Sequence, residues 1–387
     1  MVNIICAGIT GCKKEQAVGS VISCLTKVKP QYSGHVQQVN VEGILEQRQG
    51  IKWGTFLKSL NFTAQEKYSR EILDQAISQL NEYRHRFLNL HLTLYHDARF
   101  FAPFPFDRIR DFKPDLIITF IEDVYDAWAR VKKKSDEMLD PEKTYFRLCE
   151  LLAWRSVETM QADFLASALG IPNFVVAVKH PPQMLYSLIF EPERLIVYAA
   201  HPISRFRRKH PTKDLTTLNS EKAALLGFIQ KLQEKYIVFS PTTMDERIIQ
   251  GLKGPLDASS RWEIPHPQMV TEGDLKYPIE LVEQEITEVS DDIGPNIRFR
   301  DFRLIRDVDC VVAYRPYWDK EMHEGVKSEI DQADNLMIET VLYFPEEDGK
   351  VDASPFAGRA SGYGRTEEEV LADLEKRKPR KKRIWAI

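Results

Sequence analysis

The feature that most constrains this chain is a series of short apolar runs separated by longer helical patterns. "VNIICAGI" opens the sequence, and "KPDLIITFIED", "IPNFVVAV", "RLIVYAAHPIS", "IVFSPT", "DCVVAY" and "IETVLYFPE" follow it. Runs of this length, rich in Val and Ile and bounded by Gly, Pro or Asp, read as strands buried on both faces. Between them lie amphipathic stretches such as "EKYSREILDQAISQL" and "SEKAALLGFIQKLQEKY", and the glycine at Gly170 stops the helix before "IPNFVVAV". Strand and helix alternating in this way give an α/β protein built on parallel sheets.

At about 100–200 residues per domain, 387 residues accommodate two domains. The first three-layer unit is placed at 1–187. The second is placed at 194–350, with a polar, Pro- and Gly-dotted insertion at 244–296 that reads as a lid with short helices. Residues 351–387 read as a helix and a basic tail, "EKRKPRKKRIWAI", which as a charge run is first of all a solvated terminus. The net charge of −4 gives no reason to expect nucleic acid as a partner. The five cysteines include no CxxC pair, which argues against a zinc site or a disulfide framework and for a reducing, cytoplasmic setting. The opening apolar run is too short for a membrane helix, so no membrane partner is expected.

Two places carry chemistry. The first is "AGITGCKKEQ", joining the first strand to a helix. Gly8 and Gly11, with Thr10 between them, let backbone N–H groups turn toward one point, and a helix N-terminus follows, where an anion is favoured. Against the phosphate-loop pattern G-x-x-x-x-G-K-[ST], Lys14 falls on the lysine position, Lys13 replaces the last glycine and Glu15 replaces the magnesium-binding hydroxyl. The plain alternative is a structural turn with no ligand. The stretch "HLTLYHDARFFAPFPFDRIRDFKPDLIITFIEDVYDAWAR" resembles the middle of adenylate-kinase-like proteins, and the resemblance spans about residues 1–185. It implies a P-loop kinase sheet. It also implies a nucleotide, ATP or another with Mg, at Gly8, Thr10, Gly11, Lys13 and Lys14. Glu15 speaks against phosphotransfer, because a carboxylate there repels phosphates.

The second place is spread over "VYAAHPIS", "RFRDFRLIRDVDCVVAY" and "HEGVKSEIDQA". Ligands of parallel sheets gather at the carboxyl ends of strands, and the first and third segments lie at such ends. Taken alone, Glu329 reads as an acid complementing a helix N-terminus. Asp331, about 200° further round the helix, points elsewhere. Taken in order, Tyr198, then Asp301 eight residues before Asp309 and its "VV" strand, then Gly325 and Glu329 resemble the nucleoside 2-deoxyribosyltransferase superfamily. The pattern also resembles the relatives of that family that hydrolyse the N-glycosidic bond of nucleoside 5′-monophosphates. The resemblance covers about residues 194–350 and implies a flavodoxin-like sheet.

It further implies Glu329 as the carboxylate that meets C1′, Asp301 as the group that positions or protonates the leaving base or holds the sugar, and Tyr198 as the residue that orients Glu329. His201, Ser204, Arg205, His323 and Gly325 are the expected substrate and phosphate contacts. Arg207 and Arg208 lie close by, and the plain reading of these arginines is a solvated face. His323 stands where relatives have Ser or Asp, and the segment through "WDKEMH" is longer than in compact relatives. Trp262 is a candidate stacking lid. The expected function is cleavage or transfer at the N-glycosidic bond of a nucleoside, a nucleotide or an NAD-like molecule. That chemistry needs no cofactor and no metal, and the resemblance implies a homo-oligomer. The competing readings are a kinase using the first unit, and a nucleotide sensor that does no chemistry.

Overall fold

The computed structural model describes residues 1–49, 61–96, 98–137, 146–203, 215–244, 268–272, 275–279, 283–317, 323–348 and 359–380. The apolar runs form two five-stranded sheets, each with all its strands parallel. The first contains β1 (Val2–Ala7), β2 (Val36–Asn40), β3 (His85–Asn89), β6 (Leu116–Ile121) and β7 (Asn173–Ala177), in the order β2-β3-β1-β6-β7. A small antiparallel hairpin, β4 (Leu94–His96) and β5 (Arg99–Phe101), sits between β3 and β6 in the chain. The helices of this half are α1 (Lys14–Val28), α2 (Val41–Gln49), α3 (Phe62–Leu80), α4 (Phe106–Asp111), α5 (Val124–Glu137), α6 (Leu148–Leu169) and α7 (Pro182–Phe190).

The second sheet contains β8 (Ile196–Ala200), β9 (Ile237–Phe239), β12 (Cys310–Tyr314), β13 (Glu339–Tyr343) and β14 (Gly362–Gly364), in the order β14-β13-β12-β8-β9. Counted in chain order within the sheet this is 2-1-3-4-5, a doubly wound arrangement whose connections change direction between its first and third strands. Those strands are β8 and β12. Helices α8 (Leu215–Lys235), α9 (Glu283–Arg306), α10 (Glu324–Asn335) and α11 (Glu367–Leu374) belong to this half, and a separate hairpin pairs β10 (Gln268–Glu272) with β11 (Leu275–Ile279).

Alternation along the strands divides the core. Ile5, Ala7, Leu88 and Ile117 face the outer side of the first sheet, against Ile72, Leu73 and Ala76 of α3. Val197, Ala199, Val312 and Val341 face the outer side of the second, against Leu225, Phe228 and Leu232 of α8 and Val370 of α11. The inner faces share one cluster: Ile4, Cys6, Ile118 and Phe120 from the first sheet, and Ile196, Tyr198, Ala200, Val311 and Ala313 from the second. Val18, Leu185, Leu304, Ile305, Val326 and Ile330 from α1, α7, α9 and α10 fill the space between them. Each fully buried aliphatic side chain of this kind stabilises the fold by about 1.5–3 kcal/mol.

Two sequence expectations need correction. The lid read at 244–296 is shorter than that, because α9 begins at Glu283 and runs as one helix through Gly294 and Pro295 to Arg306. Val289 and Ile293 are buried in the central cluster, so packing holds a helix that local propensity would break. The described part of the insertion before it is the β10–β11 hairpin rather than short helices. Tyr198 is the middle residue of β8, and the segment "VYAAHPIS" ends that strand as expected, at Ala200.

Among the described residues no helix is long and apolar enough to cross a membrane. All five cysteines are free.

Candidate functional site

Tyr198 is fully buried in β8, and its hydroxyl donates a 2.7 Å hydrogen bond to Oε1 of Glu329. Glu329 is the sixth residue of α10, a full turn past the helix start, and is itself buried. That position removes the reading of Glu329 as a helix-start acid, because the dipole effect fades within the first turn. Its other oxygen, Oε2, is buried and has no hydrogen-bond partner among the described residues. Burial, and then the negative charge of Asp301, push the Glu329 carboxyl well above the ordinary carboxylate range. Burial likewise pushes the Tyr198 hydroxyl well above its usual value, with Asp301 and Glu329 adding to it, so Tyr198 stays a donor.

Asp301 lies five residues before the end of α9, and its buried carboxylate joins the pair from the helix side. Sequence alone brings it to the site only if its helix begins there. It arrives instead from the last turns of a long helix, since α9 packs beside α10. Arg300 holds it, with Nε and one terminal nitrogen donating to Asp301 Oδ1 at 2.9 and 2.8 Å. Tyr198 and Glu329 thus come from the two strand–helix units, β8–α8 and β12–α10, that flank the direction change where ligands of doubly wound sheets bind, and Asp301 comes from the helix that leads into β12.

His201 follows β8, is buried, and has Nδ1 2.8 Å from the Ala199 carbonyl. His323 is the N-cap residue of α10, and its backbone N–H donates to the Pro316 carbonyl at 3.2 Å. Gly325 lies in the first turn of α10 with open space around its α-carbon. Ser204, Arg205, Arg207, Arg208 and Trp262 lie outside the described residues, as does most of "WDKEMH". Asp309 has a structural role, since Oδ2 accepts from the Ile196 N–H at 2.8 Å and Oδ1 from the Arg380 N–H at 2.7 Å. Asp331 turns outward to an ion pair with Arg359.

The loop after β1 has a different character. Gly8 (φ 149°) and Gly11 (φ 78°) take backbone conformations that favour glycine, and both press against neighbours. A β-carbon on Gly8 would lie 2.6 Å from the Phe120 carbonyl oxygen, and one on Gly11 would lie 2.7 Å from that of Ala127. Lys13, at φ 54°, holds the left-handed conformation at the position where the phosphate-loop pattern has glycine. Left-handed backbone costs a non-glycine residue about 1–2 kcal/mol. Lys13→Gly is therefore expected to raise stability by about 1 kcal/mol, read as a higher urea midpoint with an unchanged slope.

Thr10 is half-buried in the same turn. Lys14 is buried, and its ammonium donates to the Gly8 carbonyl at 3.1 Å, with Glu42 at 3.4 Å and His91 Nδ1 at 3.1 Å. Burial pulls Lys14 down, but Glu42 and other acidic neighbours outweigh it and leave its pKa raised. Burial pushes Glu42 up, and the His91 and Lys14 charges overcome that and bring its carboxyl down to about 2. Glu15 accepts from the Asn40 amide at 2.6 Å at the surface.

Among the described residues no group of three or more His, Cys, Asp or Glu side chains could hold a metal ion. Arg300, Glu42, His91 and Glu158 were not singled out from sequence. Arg300 stands in "RFRDFR", where three arginines compete for the role. The other three are paired over long separations, and the only local sign was Glu158 among the apolar positions of "LLAWRSVETMQADFL". No protein-family model matches the chain, and no curated protein matches it.

Proposed function

We propose that this protein cleaves or transfers at the N-glycosidic bond of a nucleoside or nucleotide, with Glu329 as the carboxylate that meets C1′. The observation that carries this reading is the buried Tyr198–Glu329 pair with one carboxyl oxygen held and the other unpartnered among the described residues. Tyr198 fixes Oε1, so Oε2 is the atom that faces reacting chemistry. Cleavage of a C1′–N bond develops positive charge on the sugar, and a carboxylate in a dry site stabilises that charge or captures it as an ester. As C1′ becomes positive, the ionised form of Glu329 is favoured. Oε2 then bonds to C1′, the departing base takes the C–N electron pair and a proton from water, and water or a second base releases the sugar. Asp301, held by Arg300, supplies negative charge beside the sugar and a hydrogen-bond acceptor for it.

The order Tyr198, Asp301, Glu329 on a sheet of order 2-1-3-4-5 supports the likeness to nucleoside deoxyribosyltransferases and nucleotide N-glycosidases. On this reading a 5′-phosphate is met by His201, Ser204 and Arg205 and by His323 with Gly325. The working assembly is a homo-oligomer.

The test is release of free base from nucleosides, 5′-monophosphates and NAD, followed chromatographically. Absence of release from every member of the set removes the reading. Tyr198→Phe gives a second check. The hydroxyl lowers the Glu329 pKa by bonding its ionised form, so removing the hydroxyl raises that pKa further. The rise of kcat/KM with pH is expected to move to higher pH. The rate at neutral pH should fall roughly 10- to 100-fold, the scale of one hydrogen bond to a charged group. An unmoved pH profile would show that Tyr198 does not orient the reacting carboxyl.

A further inference from the structure

The turn after β1 has the form of an anion cradle, and its anion is already present. The Gly8 N–H donates to Glu158 Oε1 at 3.1 Å, the Leu92 N–H to the same oxygen at 2.9 Å, and the Thr93 N–H to Oε2 at 2.6 Å. Glu158 stands on α6 and is 1% exposed. Both carboxyl oxygens act as acceptors, as in the ionised form, while burial pushes the carboxyl above its usual range against the pull of His91, Lys14 and these N–H donors. The groups around it close the site further. Lys14 and Arg130 spend their charge on the loop's own carbonyls: Lys14 Nζ donates to Gly8 O and Arg130 Nε to Gly11 O at 2.7 Å. Arg130 also pairs with the buried Glu122, and Lys14 with Glu42. The Trp154 indole N–H donates to the Thr93 carbonyl at 2.7 Å, and Arg155 donates to the Glu122 carbonyl at 2.8 Å, so two neighbours of Glu158 on α6 tie the loops after β3 and β6.

We propose that Glu158 is the resident anion of the loop after β1, that the loop takes no nucleotide phosphate, and that the vacated cradle would accept a small carboxylate or oxyanion. A phosphate at the same N–H groups would have to expel a carboxylate held by three donors. It would also meet Glu42 and Glu122, whose cationic partners are already engaged. The cradle's work is to fix α6, to which Arg303 of α9 is bonded through Asp163. This inference stands independently of the glycosidic reading of the second sheet.

The experiment compares full-length wild type and Glu158→Ala by thermal denaturation in sodium chloride and in sodium formate at matched ionic strength. In parallel, wild type is titrated calorimetrically with MgATP and with inorganic phosphate. The variant is expected to melt roughly 5 °C or more below wild type in chloride. It should recover at least half of that difference in formate at tens of millimolar, while wild type responds equally to both salts. Wild type should show no saturable binding of MgATP. Formate acting no differently from chloride on the variant would overturn the proposal, as would saturable MgATP binding that inorganic phosphate competes away. Should Glu158→Ala not fold, the wild-type titration decides alone: competed MgATP binding overturns the proposal, and its absence supports it.

Discussion

Glu329→Gln is expected to lower base release by roughly 10³-fold or more, because an amide neither captures C1′ nor carries the charge that stabilises it. The same substitution is expected to make the protein more stable at neutral pH. Burial and the Asp301 charge raise the Glu329 carboxyl well above its ordinary 4.5. A raised carboxyl contributes its full stability below the unfolded-state pKa and loses it as pH climbs through the folded-state pKa. The uncharged amide of the variant has no such loss. The advantage of the variant should be absent below about pH 4.5 and grow above it, reaching about 1 kcal/mol in urea unfolding at pH 7–8. Loss of activity together with a pH-dependent gain in stability is the signature of a strained reacting group. A merely structural carboxyl would lose stability on substitution.

Arg303→Ala is expected to be the most destabilising single change among those considered, at about 3 kcal/mol or more by urea unfolding. Arg303 is buried on α9 and reaches across to the first sheet. It donates to both oxygens of Asp163 on α6 at 2.5 and 3.1 Å and to the Asn173 carbonyl of β7 at 3.1 Å, and it pairs with Asp307. Truncation leaves Asp163 and the half-buried Asp307 without that charge. Burial pushes Asp163 up, and the Arg303 charge more than reverses this, so its carboxyl lies below the usual 3.8. A lowered carboxyl stabilises the fold above the unfolded-state pKa and loses that contribution as pH falls through the folded-state pKa. The gap between wild type and Arg303→Ala should therefore narrow as pH falls below about 3.8. Arg303→Met, which keeps the packing of the stem, should cost less than Arg303→Ala. Equal losses in the two variants, with no narrowing at low pH, would show that packing and not charge holds α9 to α6.

The fold class and most strands were legible because buried parallel strands write themselves as continuous apolar runs, as in "LIITFI" and "CVVAY". Within the two parallel sheets the strands that escaped were β2, "VQQVN", whose polar residues alternate with valines, and β14, "GYG", which has almost no apolar content. The helix through Gly294 and Pro295 was hidden because its support is tertiary: nothing local to "DDIGPNIRF" reveals that Ile293 will be covered. At the candidate site, Tyr198, Asp301 and Glu329 were named from their order along the chain, and the structure brings them to one buried place. What sequence did not reveal is which oxygen is held and which charge is neutralised, because Arg300, Tyr198 and Glu329 meet only through packing. The Gly8 loop shows the opposite lesson. Its residues spell a phosphate site, yet their meaning depends on Glu158, 150 positions away along the chain.

The inner faces of the two sheets complete a single apolar layer. During synthesis the first half leaves the ribosome before β8 to β14 exist, with α6, α7 and β7 lacking the α9 and β9 they pack against. For that interval the nascent chain carries a large sticky surface, of the kind that chaperones hold and that seeds aggregation. The two halves are bound less by the peptide that links them than by this shared interval of incompleteness, and its length is set by how fast residues 188–380 are translated and docked.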